Sequence, residues 1–210
     1  LHSLSRRQRQ MCIRDRMINK TLYGAVAYDQ AFGYLANYDD AMPDNVDPKS
    51  EGGSYTVAEH KWDEAFGYFG ARRDFLTPGD VGSCIDLTSE HNFGWASYAT
   101  KRDNDTENIA YRNGVMFKAD IFNAFVAGRA IIHNEGTIDE LAPHMATIRT
   151  RFEQLCAAYV VHYVHSVLNA MGDLTSTSGA MSSESENYNK YWSEMRGFII
   201  SLQYLSLIHI

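Results

Sequence analysis

An all-α helical bundle is the architecture this sequence predicts, and three observations carry that prediction. Apolar residues recur at helical spacing in five stretches of very different length, and no stretch alternates convincingly at the period of a strand. Segments rich in Gly, Pro, Asp or Ser/Thr separate those stretches. Residues suited to helix ends stand where the periodic stretches begin and stop.

Residues 17–37 form the first predicted helix, with Leu22, Ala25, Val26, Tyr28, Phe32 and Leu35 at helical spacing. Residues 38–54 read as a loop by their Pro, Gly and Asp content. Ser54 is the expected cap of a second helix, which ends near Gly70; Arg72 and Arg73 suit its negative C-terminal end. Residues 77–104 are the least regular part, with one or two helical turns expected around Phe93–Tyr98. A long helix is expected over 106–133, where Phe122, Phe125, Arg129 and Ile132 share a stripe, with Asn134-Glu135-Gly136 as its stop. Thr137 and Glu140 have the spacing of a capping box. The helix after them is expected to restart or kink at Pro143. Beyond it Leu141, Met145, Ile148, Phe152, Leu155 and Tyr159 step by four and three, as in a bundle seam. Residues 173–186 read as a Ser/Thr-rich loop. A last helix follows, with Tyr188, Tyr191, Trp192, Met195, Phe198, Ile199 and Leu202 as its apolar stripe.

The 210 residues are 45% hydrophobic and 21% charged, the balance of an ordinary globular chain. Residues 1–16 and 205–210 resemble translated sequencing-adapter strings, so they read as non-native segments flanking a single, incomplete helical domain at 17–204. With the five arginines and one aspartate of residues 1–16 set aside, the net charge falls from −7 to −11. An acidic body of this kind argues against nucleic-acid or anionic-membrane partners, which need basic patches. No apolar run reaches the roughly 18 residues of a membrane span. Cys84 and Cys156 are too far apart in sequence to form a metal knuckle, and they leave the redox compartment open.

One octapeptide pattern occurs twice. Tyr28-Asp29-Gln30-Ala31-Phe32-Gly33-Tyr34-Leu35 aligns with Trp62-Asp63-Glu64-Ala65-Phe66-Gly67-Tyr68-Phe69. The long loop between the copies and the lack of a third copy exclude a tetratricopeptide array. A shared packing device, with the glycine admitting a neighbouring helix, explains the common part. It leaves His60 and Glu64 unexplained, because the first copy has Val26 and Gln30 there.

Chemistry concentrates on the second copy. His60, Asp63, Glu64 and Gly67 fall within one arc of a helix, opposite Tyr55, Trp62, Phe66 and Phe69. An imidazole and a carboxylate at i, i+4 are able to reach one metal ion. The bland alternative is a solvated polar face, which is the commoner occurrence. Arg129 lies on an apolar stripe and calls for a carboxylate partner, with Asp63, Glu64 and Glu194 as candidates; a snorkelling arginine is the alternative. Glu194, at the edge of the last stripe, would complete a site from another helix, or is a boundary charge. His162 and His165 read as structural, and His91 and His144 have no nameable partner. No phosphate loop, nucleophile elbow or HExxH pattern is present, so a serine or cysteine hydrolase has no positive sign.

Three separated motifs occur in order: His60 to Phe69, Ala124 to Ile131, and Tyr191 to Phe198. Together they resemble a domain-of-unknown-function family of bacterial envelope lipoproteins that is itself similar to the imelysin-like proteins. The resemblance implies paired helical bundles and a His-x-x-Glu metal motif, with iron uptake at the cell envelope and other envelope iron-uptake proteins as partners. It also implies a fragment of a longer protein. The motif's histidine falls on His60, and its fourth position is Asp63 instead of Glu, with Glu64 one step on. The metal set so implied is His60, Asp63, Glu64 and Glu194, with Arg129 supporting and iron or another divalent ion as cargo.

Three functions are compatible with these residues. The leading one is an envelope protein, periplasmic or outer-membrane-anchored, that binds a metal cation. The second is a metallohydrolase or peptidase using the same residues, for which no general base beside an open zinc site can be assembled. The third is a non-catalytic structural or carbohydrate-binding surface lipoprotein, in which the arc is a salt-bridged network with Arg129.

Overall fold

The computed structural model describes residues 6–36, 45, 53–76, 92–104, 114–176 and 183–205. The fold is all-α, and the described residues contain no β-strand. Helix α1 (Arg6–Leu22) continues through a π-helical turn (Tyr23–Tyr28) into α2 (Asp29–Ala36). There follow α3 (Val57–Phe69), α4 (Gly94–Asp103), α5 (Phe117–His133), α6 (Ile138–Ser176), α7 (Ser183–Ser201) and a closing 3-10 turn (Leu202–Tyr204). The chain divides into two compact units, Ala27–Leu155 and the combination of Leu1–Val26 with Cys156–Ile210. Cys84, His91, residues 77–91 of the irregular stretch 77–104 and most of the loop expected at 38–54 lie outside the described residues. The Ser/Thr-rich loop expected at 173–186 is shorter than that, since residues 173–176 end α6 and residues 183–186 begin α7, and only 177–182 lie outside the described residues.

The unit Ala27–Leu155 is built on aromatic packing. Tyr28, Phe32 and Leu35 of the first copy are buried, as are Trp62, Ala65 and Phe69 of the second. The two copies pack on each other, with the equivalent tyrosines Tyr34 and Tyr68 stacked at 6.1 Å. Phe152 of α6 receives Phe32, Phe69 and Trp95 at centroid distances of 5.5–5.8 Å. Tyr28 donates its hydroxyl to buried Glu153 at 2.7 Å, which satisfies a carboxylate the core would otherwise penalise. The expected α6 seam is present: Leu141, Ile148, Phe152 and Leu155 are fully buried.

Several boundaries differ from expectation, each for a local reason. The cap of α3 is Thr56, not Ser54: its hydroxyl accepts from the Glu59 N–H while Glu59 accepts from the Thr56 N–H. Helix α5 begins at Phe117, well after residue 106, because Asp103 accepts from the Phe117 and Lys118 N–H groups at 3.0 and 2.7 Å and starts it there. The region around Phe93 forms the ten-residue helix α4, more than isolated turns. Helix α6 runs through Pro143 without a break. The stop after α5 puts the left-handed residue at Glu135 (φ 57°), one position before the expected glycine. Arg72 pairs with Asp74 at 2.9 Å. Gly33 and Gly67 do not serve close approach, since a Cβ at either would meet nothing within 4 Å.

In the other unit, α1 and α7 run parallel, as the pairings Arg16–Glu194, Met17–Gly197 and Gly24–Ser201 show. The face of α7 that meets α1 is not the expected aromatic stripe. Ser193, Glu194, Gly197, Phe198 and Ser201 are buried, while Tyr191 and Trp192 are half-buried and Ile199 is exposed. Small residues at every fourth position let the two backbones come together. Ser201 then enters the helical ladder of α1: its Oγ accepts from the Gly24 N–H at 3.1 Å and donates to the Lys20 carbonyl at 2.6 Å. A hydroxyl thus stands where the direct Gly24-to-Lys20 bond would be, which accounts for the π turn that follows. Burial changes through the turn: Leu22 before it and Val26 within it are exposed, whereas Tyr28 at its end and Phe32 after it are buried. Antiparallel to α7, α6 contributes Tyr159 and Tyr163, stacked on Phe198 at 5.4 and 5.9 Å.

Candidate functional site

Helices α3 and α5 are antiparallel, which follows from their pairings: Glu59 meets Arg129 and His133, Trp62 meets Phe125, and Phe66 meets Phe122. Two of the sequence motifs interlock here. Gly128 lies under the Trp62 indole, and a Cβ there would occupy the indole's own space. The Trp62 Nε1–H donates to the Phe125 carbonyl at 2.8 Å, fixing the ring. The Trp of the first motif and the Gly of the second are therefore two halves of one contact.

One turn away, the polar residues form a continuous network. Glu59, only 6% exposed, is its centre. One carboxylate oxygen accepts from the Thr56 N–H, and the other from Arg129 Nη1 at 2.6 Å, with His133 Nδ1 at 3.0 Å. Arg129 Nε donates to Asp63 at 3.0 Å. Thr56 donates to the Asn45 side-chain oxygen, and Asn45 donates to the Ile132 carbonyl, both at 2.7 Å. Burial pushes the Glu59 carboxyl up, but the Thr56 N–H, His133 and Arg129 outweigh it and hold it below the ordinary carboxylate range. Arg129 loses by burial and gains more from Glu59 and Asp63, so its charge is held more firmly than usual.

Between the helices, beside this network, an open groove of about 670 Å³ is lined by Trp62, Phe66, Phe122, Phe125, Val126 and Ala130. Arg73 stands at the Phe122 end, and Asp63, Arg129 and His133 at the other. A volume of this size is within the range of small-molecule sites. A smaller cavity of about 200 Å³, lined by Asn45, Tyr55, Thr56, Glu59, His133 and Glu135 among others, adjoins the Glu59 network.

The residues singled out in the sequence are distributed as follows. His60 Nε2 lies 3.3 Å from Glu64 Oε1, both side chains about one-third exposed, with the Tyr55 ring stacked on the imidazole. Glu64 also raises the Tyr34 phenol pKa, chiefly by its charge. Asp63 is engaged by Arg129, as is Glu59, a carboxylate the sequence reading did not single out. Glu194 belongs to the other unit, is buried, and accepts from Arg16 at 3.0 Å. His162 is half-buried beside Tyr159 and Tyr163, and His165 is exposed. Among the described residues no three His, Cys, Asp or Glu side chains are grouped to hold a metal ion. His60 and Glu64 supply two donors, short of the four that close a structural zinc site. Among the described residues no helix is long and apolar enough to cross a membrane.

Glu59, His133, Thr56 and Asn45 were not found from sequence, although three of them had a signal. Thr56-x-x-Glu59 is itself a capping-box pattern, and His133 follows Arg129 by one helical turn. Asn45 had none, since only the fold brings it to Thr56.

The described residues define an all-helical fold in which the Ala27–Leu155 unit carries an open aromatic cleft flanked by an ionic network. The chain belongs to the family described as domain of unknown function DUF4856, which matches residues 10–207. No curated protein and no solved structure matches it.

Proposed function

We propose that the domain is a binding module whose ligand lies in the groove between α3 and α5. The observation that carries this is the groove itself, about 670 Å³ with Val126 at 52% exposure on an otherwise aromatic floor. Apolar side chains left open beside a firmly paired ionic network describe a preformed site, because the network holds both walls before any ligand arrives. In this reading Arg129 is a strut. Its two carboxylates neutralise it, and its role is to lock α3 to α5. The test is titration with the neutral fluorophore N-phenylnaphthylamine. Fluorescence enhancement that saturates, and that is lost in Val126→Glu at unchanged circular dichroism, supports the groove. No enhancement, or enhancement unaffected by Val126→Glu, overturns it.

The His60–Glu64 contact favours a second reading, the imelysin-like one: an envelope protein that handles iron, with this pair as its two protein ligands and water completing the shell. Calorimetry with ferrous, ferric and zinc ions decides it. Absence of binding, or binding unchanged in a His60→Ala, Glu64→Ala double variant, removes the metal reading and leaves the groove reading standing.

A further inference from the structure

The charges at the two ends of the groove are not equivalent, and the difference selects a ligand. At one end Arg129 is bonded to both Glu59 and Asp63, so its charge is already compensated. At the other end Arg73 is exposed and makes no hydrogen bond or ion pair among the described residues. It nevertheless lines the groove beside Phe66 and Phe122. From Phe122 to His133 the α5 wall rises about 16 Å, at 1.5 Å per residue. The space is therefore a trough of small-molecule length, with an aromatic floor and, at its mouth, a guanidinium that has no carboxylate partner among the described residues.

A guanidinium binds a carboxylate through two parallel N–H bonds, and it does so best where apolar surroundings thin the water around the pair. From this we infer that the groove takes a single-chain anionic amphiphile, an alkyl carboxylate whose chain lies along Phe66, Phe122, Phe125 and Val126 and whose headgroup pairs with Arg73. A cationic headgroup is excluded from the Arg73 end by repulsion. A neutral one gains the floor alone. The inference rests on the groove being a binding site.

The experiment uses the full chain and three ligands of one chain length, decanoate, decanol and decyltrimethylammonium, each titrated calorimetrically below its micellar concentration. Decanoate is expected to bind at one site, about tenfold more tightly than decanol, a factor equivalent to about 1.4 kcal/mol. Arg73→Gln is expected to remove that advantage while leaving decanol unchanged, and Val126→Glu to abolish both. Arg73 is exposed, so the Gln variant keeps the fold, which circular dichroism verifies. Equal binding of decanol and decanoate, tighter binding of the cation, or an unchanged decanoate affinity in Arg73→Gln overturns the anionic class and leaves the groove in place. If none of the three binds, or if Val126→Glu has no effect on decanoate, the groove reading falls as well.

Discussion

Gly128→Ala and Gly67→Ala make the same chemical change on two helices, and the structure assigns them opposite signs. In the interior of a helix, Ala is favoured over Gly by about 1 kcal/mol. At Gly67, exposed on α3, an added Cβ meets nothing within 4 Å, so the gain stands alone. At Gly128 the Cβ would fall inside the Trp62 indole, with Cη2 at 2.5 Å and Cε2 at 2.9 Å. The ring has little room to yield. It is 1% exposed, bonded to the Phe125 carbonyl, and edge-on to the Phe125 ring at 5.7 Å. Overpacking of this kind costs about 1–3 kcal/mol, and the confinement of the indole puts the cost in the upper part of that range. After the propensity gain, Gly128→Ala should lose about 1–2 kcal/mol. For a chain of this size each kcal/mol moves the melting temperature by about 2–4 °C. The pair should therefore separate, Gly67→Ala melting above the parent and Gly128→Ala below it. Urea midpoints followed by circular dichroism give the free energies, provided the m-values agree among variants. In a Trp62→Leu background the Gly128→Ala penalty should vanish, as a double-mutant cycle would report. A Gly128→Ala protein as stable as Gly67→Ala, or a penalty that persists without Trp62, refutes the interlock.

The ionic network yields two further expectations. Arg129→Ala leaves the buried Glu59 carboxylate without its main partner and should cost about 3 kcal/mol, whereas Asp63→Asn, at a side chain 57% exposed, should cost under about 1 kcal/mol; equal losses in urea titrations would contradict this ordering. Because the folded protein holds Glu59 below its ordinary value, its contribution is complete above pH ~4.5 and is lost as the pH falls through the lowered value. Urea midpoints measured from neutral pH downward should fall in this acid window. The fall should be shallower in Glu59→Gln, and an unchanged slope would exclude Glu59 as a source. In the other unit, Ser201→Ala strips the Gly24 N–H of its acceptor and should cost about 1–3 kcal/mol, with hydrogen exchange at Gly24 accelerated; normal protection there would show that the hydroxyl is dispensable.

The sequence was most informative where a pattern is local. The α6 seam, the Thr137–Glu140 capping box and the Gly70 stop are all present as spacing and residue type imply. It misled where two helices have to meet. The aromatic stripe of α7 looked like its buried face, yet Gly197 and Ser201 face α1, because only small side chains allow backbones that close. The repeated octapeptide suggested that Gly33 and Gly67 serve close approach, while the helix-interior glycines found packed tightly against a neighbouring helix are Gly24, Gly128 and Gly197. Helix periodicity says which residues share a face but not which face meets a neighbour.

The arc of His60, Asp63 and Glu64 divides along the same line. The sequence by itself determined that His60, Asp63 and Glu64 lie within reach of one another on a helix and that Arg129 needs a carboxylate, since both follow from the helical repeat and the cost of a buried charge. Only the tertiary structure decided that Arg129 bonds both Asp63 and Glu59, that His60 turns to Glu64, and that an aromatic groove opens beside them. Those outcomes depend on the antiparallel register of α3 against α5. That register is set by Trp62 settling over Gly128, a contact between residues 66 positions apart that no local spacing encodes.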